Sequence, residues 1–313
     1  MIPASGYALA PAGPQAARLA QVFWAFFGVC LVVYVVVLAL LLLGVLRPGG
    51  AAMDESARLR LVAVGGVLTA LTLIALLVVS IRGGHELNPM RGAKDVLTVQ
   101  VIGRQWWWEL HYPGTAPDQM VVTANELHVP VGRPVLLQLV SRDVIHSFWV
   151  PELHGKRDLI PGHDSTTYIQ ADRPGVFRGQ CAEFCGAQHA QMGFLVIAEP
   201  EETFQAWLAA QRRPAPAALG AEAQRGEQLF LHGTCVMCHR VAGTPAGATM
   251  GPDLTHVASR ITLAAGSLPN VREHLRRWVA DAQAVKPGNH MPPTPPLGAA
   301  DQDSLVTFLE ALR

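Results

Sequence analysis

Two uninterrupted apolar runs dominate what this chain can fold into. Residues 19–46, LAQVFWAFFGVCLVVYVVVLALLLLGVL, and residues 61–81, LVAVGGVLTALTLIALLVVSI, contain no charged side chain. Each is long enough to cross a hydrocarbon layer of about 30 Å as a helix. A buried core helix is the weaker reading, because soluble domains rarely contain apolar runs of this length. A cleaved signal peptide is the other reading of the first run. Against it, the preceding MIPASGYALAPAGPQAA has no Lys or Arg and the run exceeds a normal signal core. Residues 1–94 therefore read as an N-terminal segment, a two-helix transmembrane hairpin and a polar neck. Arg47, Arg58 and Arg60 lie in or beside the short connection, against Arg18 alone on the N-terminal side. That asymmetry puts the connection in the cytoplasm and both termini outside, although Asp54 and Glu55 share the same loop.

Beyond the neck the texture changes. DVLTVQVIGRQWWWELHYP, ELHVPVGRPVLLQLVS, DSTTYIQA and GFLVIAEP are β-branched, aromatic and partly alternating, with Gly and Pro between them. They predict an antiparallel sandwich or barrel over residues 95–203. Residues 204–223 hold the rest of a short helix, EETFQAWLAAQ, and a Pro/Ala-rich linker, RRPAPAALGAEA. Residues 224–313 carry apolar positions at helical spacing, broken by KPGNHMPPTPP. The formal net charge is zero, which gives no reason to expect a nucleic-acid partner. Of the five cysteines, Cys30 lies inside the first apolar run, where inert packing is expected, and the other four form two pairs.

The later pair is Cys235-Val-Met-Cys238-His239, the C-x-x-C-H pattern of covalent c-type haem attachment. Two thiols three residues apart can add to the two vinyl groups of one porphyrin, and the following imidazole becomes the proximal iron ligand. The alternatives, a redox pair or half a zinc site, lack a second nearby cysteine pair. Met291, 52 residues past His239 in a Pro-rich segment, is the expected sixth ligand; Met250 and His290 are the competitors.

The earlier pair lies in GQCAEFCGAQHAQM, which gathers Cys181, Cys185, His189 and Met192. A disulfide would leave His189 and Met192 without a role, and zinc has little use for a thioether. Thiolate with thioether favours copper. His146, in DVIHSFWVPEL, is the second histidine within reach of a sheet-end loop.

Together C-x-E-x-C-x3-H-x2-M and D-V-I-H-S-F-W-V-P resemble the CuA domain of cytochrome c oxidase subunit II. HGKRDLIPG, 154–162, matches that family too. The C-terminal part resembles a class I cytochrome c, and the whole chain resembles the fused subunit II of caa3-type oxidases. The resemblance implies a two-helix transmembrane hairpin, an all-β cupredoxin-like sandwich and a small all-α cytochrome c domain. It implies that Cys181 and Cys185 bridge two coppers, that His146 and His189 bind one each, and that Met192 and the Glu183 carbonyl are weak ligands. It also implies magnesium at the Glu183 side chain, shared with subunit I. By the same resemblance Trp106 receives electrons from cytochrome c, and Gly251-Pro252 supplies a carbonyl to the proximal imidazole of His239. At least one of Trp106, Trp107 and Trp108 is also expected in the sandwich core.

The implied function is electron input from an external cytochrome c or other one-electron donor, through haem c and CuA, to subunit I. There oxygen is reduced and protons are pumped, with subunit III as a further partner. Neither apolar run contains a histidine, so the oxygen chemistry is expected in the partner. The expected location is a bacterial inner membrane, multi-pass, with both metal domains on the periplasmic side. The second span lacks the Glu, Trp-Thr and Pro that many relatives carry, so neither Asp54 nor Glu55 is given a proton-entry role. A CuA-containing nitric oxide reductase is the alternative for the same electron-input subunit. A membrane-tethered copper carrier or electron shuttle is the non-enzymatic one.

Overall fold

The computed structural model describes residues 7–46, 54–86, 96–116 and 119–313. Arg47 and the later part of the neck, residues 87–94, lie outside the described residues. Helix α1 spans Pro14–Leu46 and α2 spans Glu55–Glu86. The Asp54 carboxylate starts α2 by accepting the Ala57 N–H at 2.7 Å, which satisfies a donor that the helix leaves unpaired. Among the described residues, none in the most apolar stretch of either helix is buried. Cys30 lies exposed on this surface rather than packed, because a two-helix hairpin leaves most of each helix's circumference facing outward.

Two five-stranded sheets follow. Their strands are β1 (Leu97–Arg104), β2 (Trp107–Tyr112), β3 (Val121–Ala124), β4 (Glu126–Pro130) and β5 (Val135–Ser141). The second half supplies β6 (His146–Trp149), β7 (Arg157–Leu159), β8 (Ser165–Ile169), β9 (Gly175–Cys181) and β10 (Gly193–Glu199). One sheet has the order β3-β2-β1-β5-β8 and the other β4-β10-β9-β6-β7. The expectation of a purely antiparallel sandwich is corrected, because β1 pairs parallel with β5 and β10 parallel with β4. The cause is visible at Asn125, where the chain leaves one sheet for the other between β3 and β4. This residue takes a left-handed φ of 62°, and its side-chain oxygen accepts the Trp108 N–H at 2.8 Å. Asn tolerates that conformation better than most residues.

Alternating strands bury one face each, as in β5, where Val135, Leu137 and Leu139 point inward and Gln138 outward. Trp108 is fully buried in this core and meets Phe148 and Phe194 edge-on at 5.8 and 5.1 Å between ring centres. The sandwich is cupredoxin-like.

After α3 (Glu201–Gln211), the expected linker is not a free tether. Ala215 N donates to Ala242 O at 2.9 Å and Ala218 is buried in the next core, because its small side chains fit against that surface. The C-terminal part holds α4 (Ala221–His232), the hairpin β11 (Thr262–Leu263) with β12 (Leu268–Pro269), α5 (Arg272–Ala280), α6 (Ala282–Val285) and α7 (Ala299–Ala311). Helices α4 and α7 cross at Gly226, where a Cβ would fall 2.0 Å from the Ser304 carbonyl, so only glycine permits this approach. Phe230, Leu305 and Phe308 close a core separate from that of the sandwich.

Candidate metal and haem centres

The first centre is built by three strand ends. Cys181 closes β9 and His146 opens β6, and these strands are paired through Phe148 and Cys181. The remaining donors come from the β9–β10 loop. Its base is fixed by Cys181 N donating to Met192 O at 2.9 Å, and a 3-10 turn at His189–Gln191 returns the chain to β10.

The sulfurs of Cys181 and Cys185 stand 3.7 Å apart, too far for a disulfide of about 2.05 Å. His146 Nδ1 lies 3.9 Å from the Cys181 sulfur, and His189 Nδ1 lies 3.6 Å from the Cys185 sulfur. Met192 Sδ is 3.8 Å from the Cys185 sulfur, and the Glu183 carbonyl is 3.2 Å from that of Cys181. Thus all six groups singled out in the sequence converge. His146, Cys181, Cys185 and Met192 are buried, and His189 is half-buried. The Glu183 carboxylate points away from the cluster to Lys156, at 3.0 Å.

His146 Nε2 faces Asp143 Oδ1 at 2.7 Å. This leaves Nδ1 with a free lone pair toward the sulfurs, the arrangement that orients a metal-binding histidine. Burial draws the His146 pKa down, but the hydrogen bond to Asp143 and the Cys181 sulfur outweigh it and the net shift is upward. The Cys181 thiol is pulled well below the usual range, first by the Cys185 thiol and, against burial, by His146. Cys185 is pushed up by that same neighbour and by burial. Metal would claim both sulfurs as thiolates. Two soft sulfurs, two imidazoles and a thioether fit copper.

Trp106 packs over this loop, and its indole N–H donates to Cys185 O at 2.9 Å. Gln105 Nε2 donates to the same oxygen at 2.8 Å. Asp143 and Gln105 escaped the reading of the sequence. The spacing D-x-x-H in DVIH was the available signal for Asp143, while Gln105 had none beyond its place beside Trp106.

The second centre lies on the C-terminal part. Cys235 and Cys238 are free thiols at a 3-10 turn, Thr234–Met237. His239 Nδ1 donates to Pro252 O at 2.7 Å, so Nε2 is the nitrogen available to iron. Burial pulls the His239 pKa down, against the Pro252 bond, which keeps the ring neutral. Gly251 makes room for that ring, since a Cβ there would sit 2.8 Å from His239 Cε1. These features fit a covalent haem. Met250 is 74% exposed and not a core residue. Met291 is half-buried and its segment is pinned: its N–H donates to Asn289 Oδ1 at 2.7 Å and its carbonyl accepts from Gln283 Nε2 at 2.8 Å.

A membrane-attached cupredoxin-like domain with a sulfur-rich metal loop, followed by a helical C-x-x-C-H domain, defines a class of redox protein. Residues 114–199 match the family described as "Cytochrome C oxidase subunit II, periplasmic domain", and residues 223–313 match "Cytochrome c". The chain thus carries a cytochrome c oxidase subunit II periplasmic domain followed by a cytochrome c domain. Cytochrome c oxidase subunit 2 of Alkalihalophilus pseudofirmus is 36% identical over 219 residues, covering 70% of this chain and 62% of that protein. Its namesake from Bacillus subtilis is 33% identical over 233 residues, covering 71% of this chain and 64% of that protein. Those matches therefore span less than two thirds of the relatives' length. A crystal structure of the periplasmic domain of subunit II of cytochrome oxidase (CoxB) of Bradyrhizobium japonicum is 30% identical. It covers 38% of this chain and 96% of that one, with a TM-score of 0.36.

Proposed function

We propose that this chain is the electron-input subunit of a haem-copper oxidase. It takes electrons from an external one-electron donor and passes them, through haem c and a binuclear copper centre, to subunit I. There oxygen is reduced to water with proton pumping. The oxygen-reducing site is thus placed in the partner, and subunit III is a further neighbour. The observation that carries this reading is the convergence of Cys181, Cys185, His146, His189, Met192 and the Glu183 carbonyl around one buried point.

When bound, the two groups supply one-electron storage at fixed geometry. The chain's part is to hold their donors still. Cys181 and Cys185 are assigned as bridging thiolates, His146 and His189 as the strong copper ligands, and Met192 and the Glu183 carbonyl as weak ones. Bound there, copper would supply one-electron transfer, and the fixed Cys181 and Cys185 sulfurs would limit rearrangement around it. Cys235 and Cys238 are assigned to the haem thioethers, His239 and Met291 to the iron, and the Pro252 carbonyl to orienting His239. The Glu183 carboxylate is assigned to magnesium at the contact with subunit I. Two functional units, 95–203 and 224–313, are supported by their separate cores. Both apolar helices are taken to cross a bacterial inner membrane, with these units on the periplasmic side.

Metal analysis and EPR of the purified complex test the reading. Beyond the copper of subunit I, two coppers per covalent haem are expected in this subunit, with the hyperfine pattern of one electron shared over both coppers. Cys181→Ser should remove that signal and leave the covalent haem in place. A single copper, zinc, or a haem lost together with the copper would refute the assignment. Oxygen uptake against nitric oxide consumption by the same complex identifies the acceptor.

A further inference from the structure

Trp106 is only 8% exposed, although its assigned role is to receive electrons from outside. What covers it belongs to this chain. The His290 ring lies against the indole, with 4.8 Å between ring centres, and a Cβ built on Gly288 would lie 3.5 Å from Ala187 Cβ. The segment next to Met291 therefore sits on the copper loop.

Polar groups buried between the two cores hold this contact. Glu126, at the start of β4, is 2% exposed, and among the described residues its carboxylate bonds to the C-terminal part. It accepts Ile261 N–H at 3.0 Å, Thr262 N–H at 2.7 Å and Thr262 Oγ1–H at 2.9 Å. Lys286 is equally buried. Its ammonium donates to Gln191 O in the copper loop at 2.9 Å and to Ala264 O at 3.3 Å. Gly193 N donates to Ala265 O at 3.0 Å, and Gln188 donates to Pro287 O. The β11–β12 turn supplies these acceptors with Ala264 and Ala265 at left-handed φ of 53° and 56°. Alanine adopts this conformation only where its surroundings hold it there, and here the Ala265 carbonyl is held by Gly193 across the interface while the Ala264 carbonyl is held by Lys286 of the same domain.

We propose that Glu126 and Lys286 are positioning residues that seat the C-terminal domain permanently on the copper-loop face, with His290 capping Trp106. Trp106 is then an internal junction of this chain, and an external donor protein meets the C-terminal domain instead. The electron role of that junction rests on the function proposed above; the seating does not. A buried charged group that loses a hydrogen-bonded partner shifts an equilibrium by about tenfold or more. In Glu126→Gln one acceptor oxygen becomes an NH2 facing an amide N–H. In Lys286→Met both donated bonds vanish with little change of volume.

Hydrogen exchange of the full chain in detergent is the test. The amides of Gly193, Ile261 and Thr262 cross the interface and should be protected in the wild type. Either substitution should speed their exchange about tenfold, while the Gly251 and Cys181 amides, bonded within their own domains, stay protected. Acrylamide quenching of Trp106, in a chain retaining that tryptophan alone, should rise in His290→Ala. Electron transfer from photoreduced haem to copper should slow about tenfold in Glu126→Gln and Lys286→Met, with both optical bands unchanged. Unprotected interface amides in the wild type, or exchange and transfer rates unmoved by both substitutions, would overturn the seating. A wild type lacking the copper or haem bands, yet with protected interface amides, would overturn the functional reading alone.

Discussion

Met291 and Met250 differ more in their surroundings than in their distance from His239. Met250 directly precedes the Gly251-Pro252 pair that holds the proximal ring, and its side chain faces solvent. Met291 is half-buried on a segment pinned through Asn289 and Gln283. Met291→Leu should therefore abolish the weak near-infrared band of Met-to-ferric ligation and lower the haem potential, because thioether ligation raises it. Met250→Leu should leave both intact. The reverse pattern in the near-infrared spectrum would exchange the assignments, and loss in neither would point to His290. A second expectation concerns Asp143, which fixes the tautomer of His146 while accepting the Gln105 and Val144 N–H groups, each at 2.7 Å. Asp143→Asn keeps the shape but can present an NH2 to His146 Nε2–H. Copper affinity should fall about 10- to 100-fold, measured by competition with a copper chelator. Unchanged affinity would reduce Asp143 to a loop-forming residue. The convergence of the six groups assigned to copper was legible in the sequence because five of the six residues lie within one short stretch. Asp143 was not, because a carboxylate three residues before a histidine is common and says nothing until the ring is placed.

The β1–β2 hairpin shows how one element carries charge in the sandwich. Glu109 on β2 is 6% exposed; its carboxylate accepts from Arg104 Nε at 2.5 Å and faces His111 Nε2 at 2.6 Å. Burial pushes its pKa up, but His111 and Arg104 outweigh this, and the net value is below the ordinary 4.5. A carboxyl lowered on folding stabilises the fold above its unfolded pKa, and that contribution is lost as pH falls through the lower folded value. Glu109→Gln should therefore cost about 1–3 kcal/mol near neutrality. Its deficit against wild type should shrink below pH 4.5, the ordinary value. Urea unfolding followed by tryptophan fluorescence checks both; a deficit constant across the acid range would show that Glu109 acts through packing. At this scale the sequence was read well wherever one face of an element is apolar. The segments around α4, α5 and α7 and the alternation of β5 are local patterns. The parallel pairs β1–β5 and β4–β10 were missed, because strand direction depends on where the chain crosses between sheets, and Asn125 alone marks that crossing.

The relation of the N-terminal segment to the sandwich was also beyond local pattern, since it joins residues far apart in sequence. Ala12, Gln15 and Ala16 are buried. Ala12 N donates to Glu152 O at 2.7 Å, Asp172 N donates to Ala12 O at 2.8 Å and Ala16 N donates to Leu153 O at 3.2 Å. The first turns of α1 are thus stitched to the metal-bearing sandwich, so both lie at one end of the helical hairpin. The chain can then cross a membrane in one way only: residues before α1 share a side with the copper loop, and the start of α2 is on the other. The positive charge of Arg58 and Arg60 near that start agrees with the proposed cytoplasmic position of the connection. Single-site labelling tests the topology. Leu9→Cys, at an exposed position, should react with a membrane-impermeant maleimide in right-side-out vesicles without permeabilisation. Ser56→Cys, at the start of α2, should react only after permeabilisation. Cys30 gives a lipid-shielded background, and the other four thiols are those assigned to copper and haem in the loaded protein. Labelling of both sites from outside would mean that the second helix does not cross, and labelling of neither would mean that the segment before α1 is shielded or on the far side.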